Sequence, residues 1–258
     1  MTVQDVFTWI DRIAPFERQE AFDNAGLVVG NPSMVVTRAL FALDATLPVV
    51  REAVESGAEL IVTHHPLLFG GAKQIRYDQP EGAVLQALLG AGVSLIAAHT
   101  NLDQAQGGTG DSLAAALGLT DVRPVEGSLY LRMGTLKEPT RAFSLLGRVN
   151  ERLSAHARLY GDPEATVRTV AVGAGAIGEE YALAAAAGAQ AFVVGEIKHH
   201  ELLAAQALRL AVLEAGHAQT ELAGIAALYQ RFQSDAQTGL WPITARLTAI
   251  QPYGCTTR

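Results

Sequence analysis

His64 and His65 in IVTHHP, Asp103 in AAHTNLD, and His217 and Glu221 in EAGHAQTE all stand at or just beyond the ends of apolar runs. Three imidazoles and two carboxylates are the nitrogen and oxygen donors that can hold two divalent cations. A carboxylate has two oxygens and bridges two ions, whereas an imidazole gives an ion one nitrogen. Asp103 and Glu221 are therefore expected as bridging or shared ligands, with His64, His65 and His217 as terminal ones. Two ions about 3.5 Å apart would lower the pKa of coordinated water and make hydroxide available near neutral pH. Their net positive charge would attract an anionic substrate. The donor set admits Zn, Mn, Fe or Ni.

Spacing supports this chemistry. Adjacent histidines in a regular strand point to opposite faces, but Pro66 holds His65 extended at the strand exit, where the chain can turn and present both rings. His217 and Glu221 are four apart and share a face if a helix begins there, and Gly216 loosens the turn that delivers them. His99, four residues before Asp103, and His200 in GEIKHHE are expected to shuttle protons. The competing readings are a buried, hydrogen-bonded His99 and a solvated helix start at Lys198, His199, His200 and Glu201. Asp23 and Asn24 in FDNAG could cap a turn or approach the metals, and the turn is the favoured reading. GAGAIG lacks the spacing of a dinucleotide loop, although its bend could leave backbone amides for a phosphate, and Walker, HExxH and GxSxG motifs are absent.

The elements that must position these residues alternate. Val3, Val6, Phe7, Ile10 and Ile13 recur at helical spacing behind a Thr2/Asp5 capping box. VVTRALFALD reads as a strand, the stretch after Thr46 and Pro48 as a helix closed near Gly57, and ELIVT as a strand. QALLGAG reads as a helix and VSLIAA as the next strand. His64 and Asp103 thus fall just past strand ends, where open parallel sheets place their ligands. The cadence returns later: RTVAVGAGAIGEEYALAAAAGAQAFVVGEIKHHE lays over TRALFALDATLPVVREAVESGAELIVTHHPLLFG without a gap. Helix RAFSLLGRVNERL is expected to be capped at Thr140, and the alanines of YALAAAAGAQA to form a close-packed helix. TELAGIAALYQRF reads as an amphipathic helix, and ITARLTAI as a final strand returning to the first sheet.

The expected organisation is a duplicated, layered α/β protein: a first lobe over 1–126 completed by 218–258, a second lobe over 127–217, no inserted third domain, and a dinuclear metal cleft between the lobes. The 49% apolar and 17% charged composition over 258 residues excludes extended disorder. A lone cysteine, Cys255, excludes an internal disulfide framework and argues against a thiolate metal site. Net charge of −7 without clustered Lys or Arg gives no strong nucleic-acid signal. No signal peptide and no stretch of about eighteen apolar residues is present, so the expectation is a cytoplasmic protein without a membrane partner.

FDNAGLVVG, IVTHHPLLF, AAHTNLD, GEIKHHE and GHAQTE, taken together and in this order, resemble the GTP cyclohydrolase I type 2 homologues, also called NGG-interacting-factor-three-like proteins. The resemblance spans essentially the whole chain. It implies two similar α/β lobes, a bimetal site with ligands at His64, His65, Asp103, His217 and Glu221, and a ring-like homohexamer. Phe22 stands where the family often has tryptophan, and Glu196 where a GD-type segment is usual. The implied activity is metal-dependent hydrolysis of a small-molecule substrate, such as a nucleotide or other phosphorylated compound, including hydrolytic opening of the guanine imidazole ring. A non-catalytic metal-binding, metallochaperone or scaffold protein is the alternative.

Overall fold

A computed structural model describes residues 1–252 of the chain; Cys255 lies outside them. The chain divides into two units, one formed by Met1–Gln106 together with the chain from Ile225 onward, the other by Gly107–Gly224.

In the first unit, α1 (Val3–Ile13) buries Val3, Val6, Trp9 and Ile10 along one stripe, and its capping box forms: Thr2 and Asp5 exchange backbone-to-side-chain hydrogen bonds of 3.2 and 2.8 Å. β1 (Gly26–Val29) and β2 (Arg38–Ala42) follow. Next come α2 (Leu47–Ser56), with proline in its first turn and Gly57 closing it at φ +69°, and β3 (Leu60–Thr63). The unit continues with α3 (Pro80–Ala91), β4 (Ser94–Ala97) and the short α4 (Thr100–Gln104). β2, β3 and β4 are parallel, with Ala42 opposite Thr63 and Thr63 opposite Ala97. Their near-continuous burial is what a sheet covered on both faces requires.

The second unit contains α5 (Thr109–Ala116), β5 (Thr120–Pro124), β6 (Arg132–Arg141), α6 (Ala142–Leu153), β7 (Arg158–Tyr160) and β8 (Thr166–Gly173). After these come α7 (Tyr181–Ala186), β9 (Ala191–Val194), α8 (His199–Ala207) and β10 (Ala211–Glu214). Its sheet runs β5-β6-β8-β9-β10-β7. The repeat seen in the sequence is a repeat of topology. Parallel β2-β3-β4 with antiparallel β1 against β4 corresponds to parallel β8-β9-β10 with antiparallel β7 against β10.

α9 (His217–Thr238) begins in the second unit and continues into the first, where β11 (Thr244–Leu247) pairs parallel to β2. Phe232 packs edge-on against Trp9 at 5.0 Å and tilted against Phe41 at 5.4 Å, and Trp9 donates to Asp235 at 2.9 Å. These contacts close the first unit's core.

Four expectations change in detail. Residues 107–126 belong to the second unit rather than the first lobe, because β5 pairs with β6 and α5 packs on β6 and β8. The return to the first unit falls at Ile225, inside α9. Thr140 does not cap α6: it is a strand residue opposite Val167, and Arg141 takes the cap position without a side-chain hydrogen bond. The alanine run forms only the six-residue α7, closed by Gly188 at φ +89°.

Candidate metal centre

Strand register assembles the first unit's polar group. Two residues beyond the matched positions Ala42, Thr63 and Ala97 stand Asp44, His65 and His99. Past β3 the backbone amides of both His64 and His65 donate to Leu43 O, at 3.2 and 3.0 Å, and Thr63 Oγ1 donates to His65 O. This turn ends the alternation of faces, so the two adjacent rings lie 5.0 Å apart. The His99 ring is 5.1 Å from that of His64 and 5.4 Å from that of His65, and the three residues offer ring nitrogens all within 4.8 Å of one another. Asp103, in α4, brings Oδ1 to 3.5 Å from His64 Nε2. Asn101 pins the turn before it, accepting from His99 N and donating to Ala14 O.

The second unit reaches a comparable arrangement through its own strand ends. The positions equivalent to Asp44, His65 and His99 by register are Gly175, Glu196 and Gly216. His217 opens α9, and one turn later Glu221 places Oε1 3.1 Å from His217 Nε2. Gly175 passes close to Glu221: a Cβ there would lie 2.5 Å from Glu221 Oε1, and φ is +68°. Its amide donates to Thr220 Oγ1 at 3.0 Å, so this amide of the GAGAIG bend serves the protein rather than a phosphate.

Each of the four histidines is held through Nδ1. His64 donates to Ala98 O at 2.8 Å, His65 to Asp44 at 2.8 Å, His99 to Asp23 at 2.9 Å and His217 to Glu196 at 3.0 Å. A ring fixed in this way turns Nε2 toward a cation, and such outer bonds orient metal-binding histidines and make them more basic. The ligand spacing also fits: two groups about 2.1 Å from one tetrahedral ion stand roughly 3.4 Å apart. This compares with 3.5 Å for His64 to Asp103 and 3.1 Å for His217 to Glu221. His64, His65 and His99 of the first unit form a group that could hold a metal ion, and in the second unit His217 and Glu221 stand at ligand spacing.

Three carboxylates behind the rings were not assigned that role from the sequence. Asp44 and Glu196 occupy strand-exit positions that the alternation of elements does indicate. Asp23 reads as a turn residue, yet its side chain is fully buried. It accepts from His99 Nδ1 and from the Thr100 amide and hydroxyl. Burial alone would raise its pKa, but these hydrogen bonds, the charge of His99 and the Asn24 amide outweigh that and hold it at about 2. His200 does not join a ligand group. It opens α8 with a side chain 78% exposed and Nε2 3.8 Å from Glu201, while Glu201 is buried and caps the helix through the Lys198 amide.

A sequence model of the Duf34/NIF3 (NGG1p interacting factor 3) family matches residues 1–251. Among curated relatives, a "GTP cyclohydrolase 1 type 2 homolog" of Streptomyces coelicolor is 42% identical over 231 residues, 85% of this chain and 81% of its own length. One of Clostridium perfringens is 33% identical over 230 residues, 86% of this chain and 87% of its own. A crystal structure of a Staphylococcus aureus hypothetical protein superposes with a TM-score of 0.93 at 25% identity, covering 100% of this chain and 99% of that one. A Bacillus cereus protein related to NIF3 also superposes with a TM-score of 0.93, at 20% identity over the same shares.

Proposed function

The chain belongs to the Duf34/NIF3 family, and from that premise we propose that it is a hydrolase dependent on two divalent metal ions and acting on a nucleotide or another phosphorylated small molecule. His64, His65 and Asp103 of the first unit, with His217 and Glu221 of the second, would hold the ions. The single observation that carries the reading is the set of histidines anchored through Nδ1, with carboxylate oxygens at ligand spacing from His64 and His217. When bound, such ions supply Lewis acidity and a water-derived nucleophile at neutral pH.

The chain's own groups have distinct parts in this reading. Asp44, Glu196 and the Ala98 carbonyl orient the ligand rings. His99, backed by the ionised Asp23, holds a proton on Nδ1 and takes or gives one at Nε2, within 4.8 Å of nitrogens of His64 and His65. His200, at the exposed start of α8, is the second proton carrier. The names of the relatives support a nucleotide such as GTP as substrate. A ring-like homohexamer and a cytoplasmic location belong to the same proposal. Among the described residues no helix is long and apolar enough to cross a membrane.

The test is reconstitution of metal-stripped protein with Zn, Mn, Fe or Ni, followed by incubation with GTP. Ring-opened product without released phosphate selects imidazole hydrolysis; released phosphate selects a phosphatase. Full metal uptake without turnover of nucleotides, phosphoesters or cyclic amides overturns the hydrolase and leaves the metal-carrier alternative.

A further inference from the structure

Beside His65, and wholly within the first unit, lies a pocket of about 350 Å³, at the lower end of the range for small-molecule sites. His65 and Asp44 are among its lining residues, and its apolar walls include Leu47, Leu67 and Val84. The polar groups that line it are Asp44, Thr46, His65 and Glu81.

This lining selects by charge and by hydrogen-bond direction. Two carboxylates face the space, and neither Lys nor Arg is among the described residues that line it. Both bordering helix starts contain a proline, Pro48 in α2 and Pro80 in α3, and each proline removes an amide that an anion would need. A phosphate or carboxylate is therefore disfavoured. Asp44 gives one oxygen to His65, but a carboxylate accepts several hydrogen bonds and its side chain remains a third exposed.

We propose that this pocket is the specificity subsite: it takes an uncharged nitrogen ring, a cyclic amide, imide or amino-substituted heterocycle, whose N–H groups donate to Asp44 and Glu81 while any phosphate stays outside. The inference rests on the hydrolase reading in one respect, that the ring so held places its reacting atom beside His65.

Binding of uracil to the full chain, followed by calorimetry and ligand-observed NMR, tests it. 1,3-Dimethyluracil has the same ring without N–H donors, and inorganic phosphate is the anionic competitor. Uracil should bind, the dimethylated ring about tenfold more weakly or worse, and phosphate should not displace uracil. Leu47→Trp, at a half-buried position, should fill the space and abolish uracil binding, and the exposed Glu81→Ala should weaken it severalfold. Absence of uracil binding, equal affinity for the two rings, displacement by phosphate, or undiminished binding in Leu47→Trp each overturns the proposal. Zinc uptake measured on the same samples separates the two readings. Ring binding without zinc uptake sinks the hydrolase and keeps the subsite, whereas turnover in Leu47→Trp equal to that of the unsubstituted protein keeps the hydrolase and sinks the subsite.

Discussion

Asp44 accepts the Nδ1 hydrogen of His65 at 2.8 Å because their strands run parallel in a register that pairs Ala42 with Thr63. That bond fixes the tautomer and aim of a proposed ligand ring. Asp44→Ala should lower zinc affinity about 10- to 100-fold, whereas Asp44→Asn, whose amide oxygen still accepts, should lower it less. Competition with a chromophoric chelator measures both, and the melting temperature of metal-free protein monitors the fold. Unchanged affinity in the alanine variant would remove Asp44 from the site.

Asp103 and Glu221 are the carboxylates expected to be shared between ions. Replacing either with alanine should reduce metal content at both positions, as read by elemental analysis after reconstitution. Loss of one ion with the other fully retained would end the bridging assignment but leave metal binding intact.

Asp23 sets an acid limit on stability. Its folded pKa of about 2 lies below the ordinary aspartate value of 3.8, so its ionised form stabilises the fold above pH 4. That contribution fades as pH falls from 4 towards 2, and the shift corresponds to on the order of 2 kcal/mol. Urea unfolding across this range should show Asp23→Asn less stable than the unsubstituted protein at pH 6, with the gap closing near pH 2. A pH-independent gap would mean that the loss comes from packing rather than charge.

Gly175 is a packing constraint on the second ligand group. Gly175→Ala adds a carbon 2.5 Å from Glu221 Oε1 at a backbone φ of +68°. The expected result is a loss of about 1–3 kcal/mol together with weaker metal binding. Calorimetric melting and chelator competition on one sample would expose a tolerated substitution, which would show that Glu221 is free to move aside.

The alternation of elements was legible because apolar runs mark the strands and glycines such as Gly57 and Gly92 close the helices α2 and α3 of the repeated β-α-β cadence. The metal-ligand candidates were legible for a related reason: His64, His65 and Asp103 follow apolar runs directly, and His217 and Glu221 have helical spacing. The residues behind them were not. Asp23 meets His99 across 76 positions, and Asp44 meets His65 only because β2 lies beside β3, a neighbourhood that hydrophobic pattern does not encode. His200 was legible as a histidine after an apolar strand, but its exposure was not, because that depends on the helix that begins at His199 and turns its side chain to solvent.

The discontinuous first unit has a consequence for biosynthesis. Trp9 and Phe41 leave the ribosome long before their partner Phe232, and at about 5–20 residues per second the delay from Phe41 is roughly 10–40 s. Throughout that interval β2 has no β11 beside it, and the nascent sheet carries an open edge and bare aromatic surface. A chain stalled or truncated before Ile225 would keep that edge permanently, so aggregation of incomplete product is the cost of inserting the second unit within the sequence of the first.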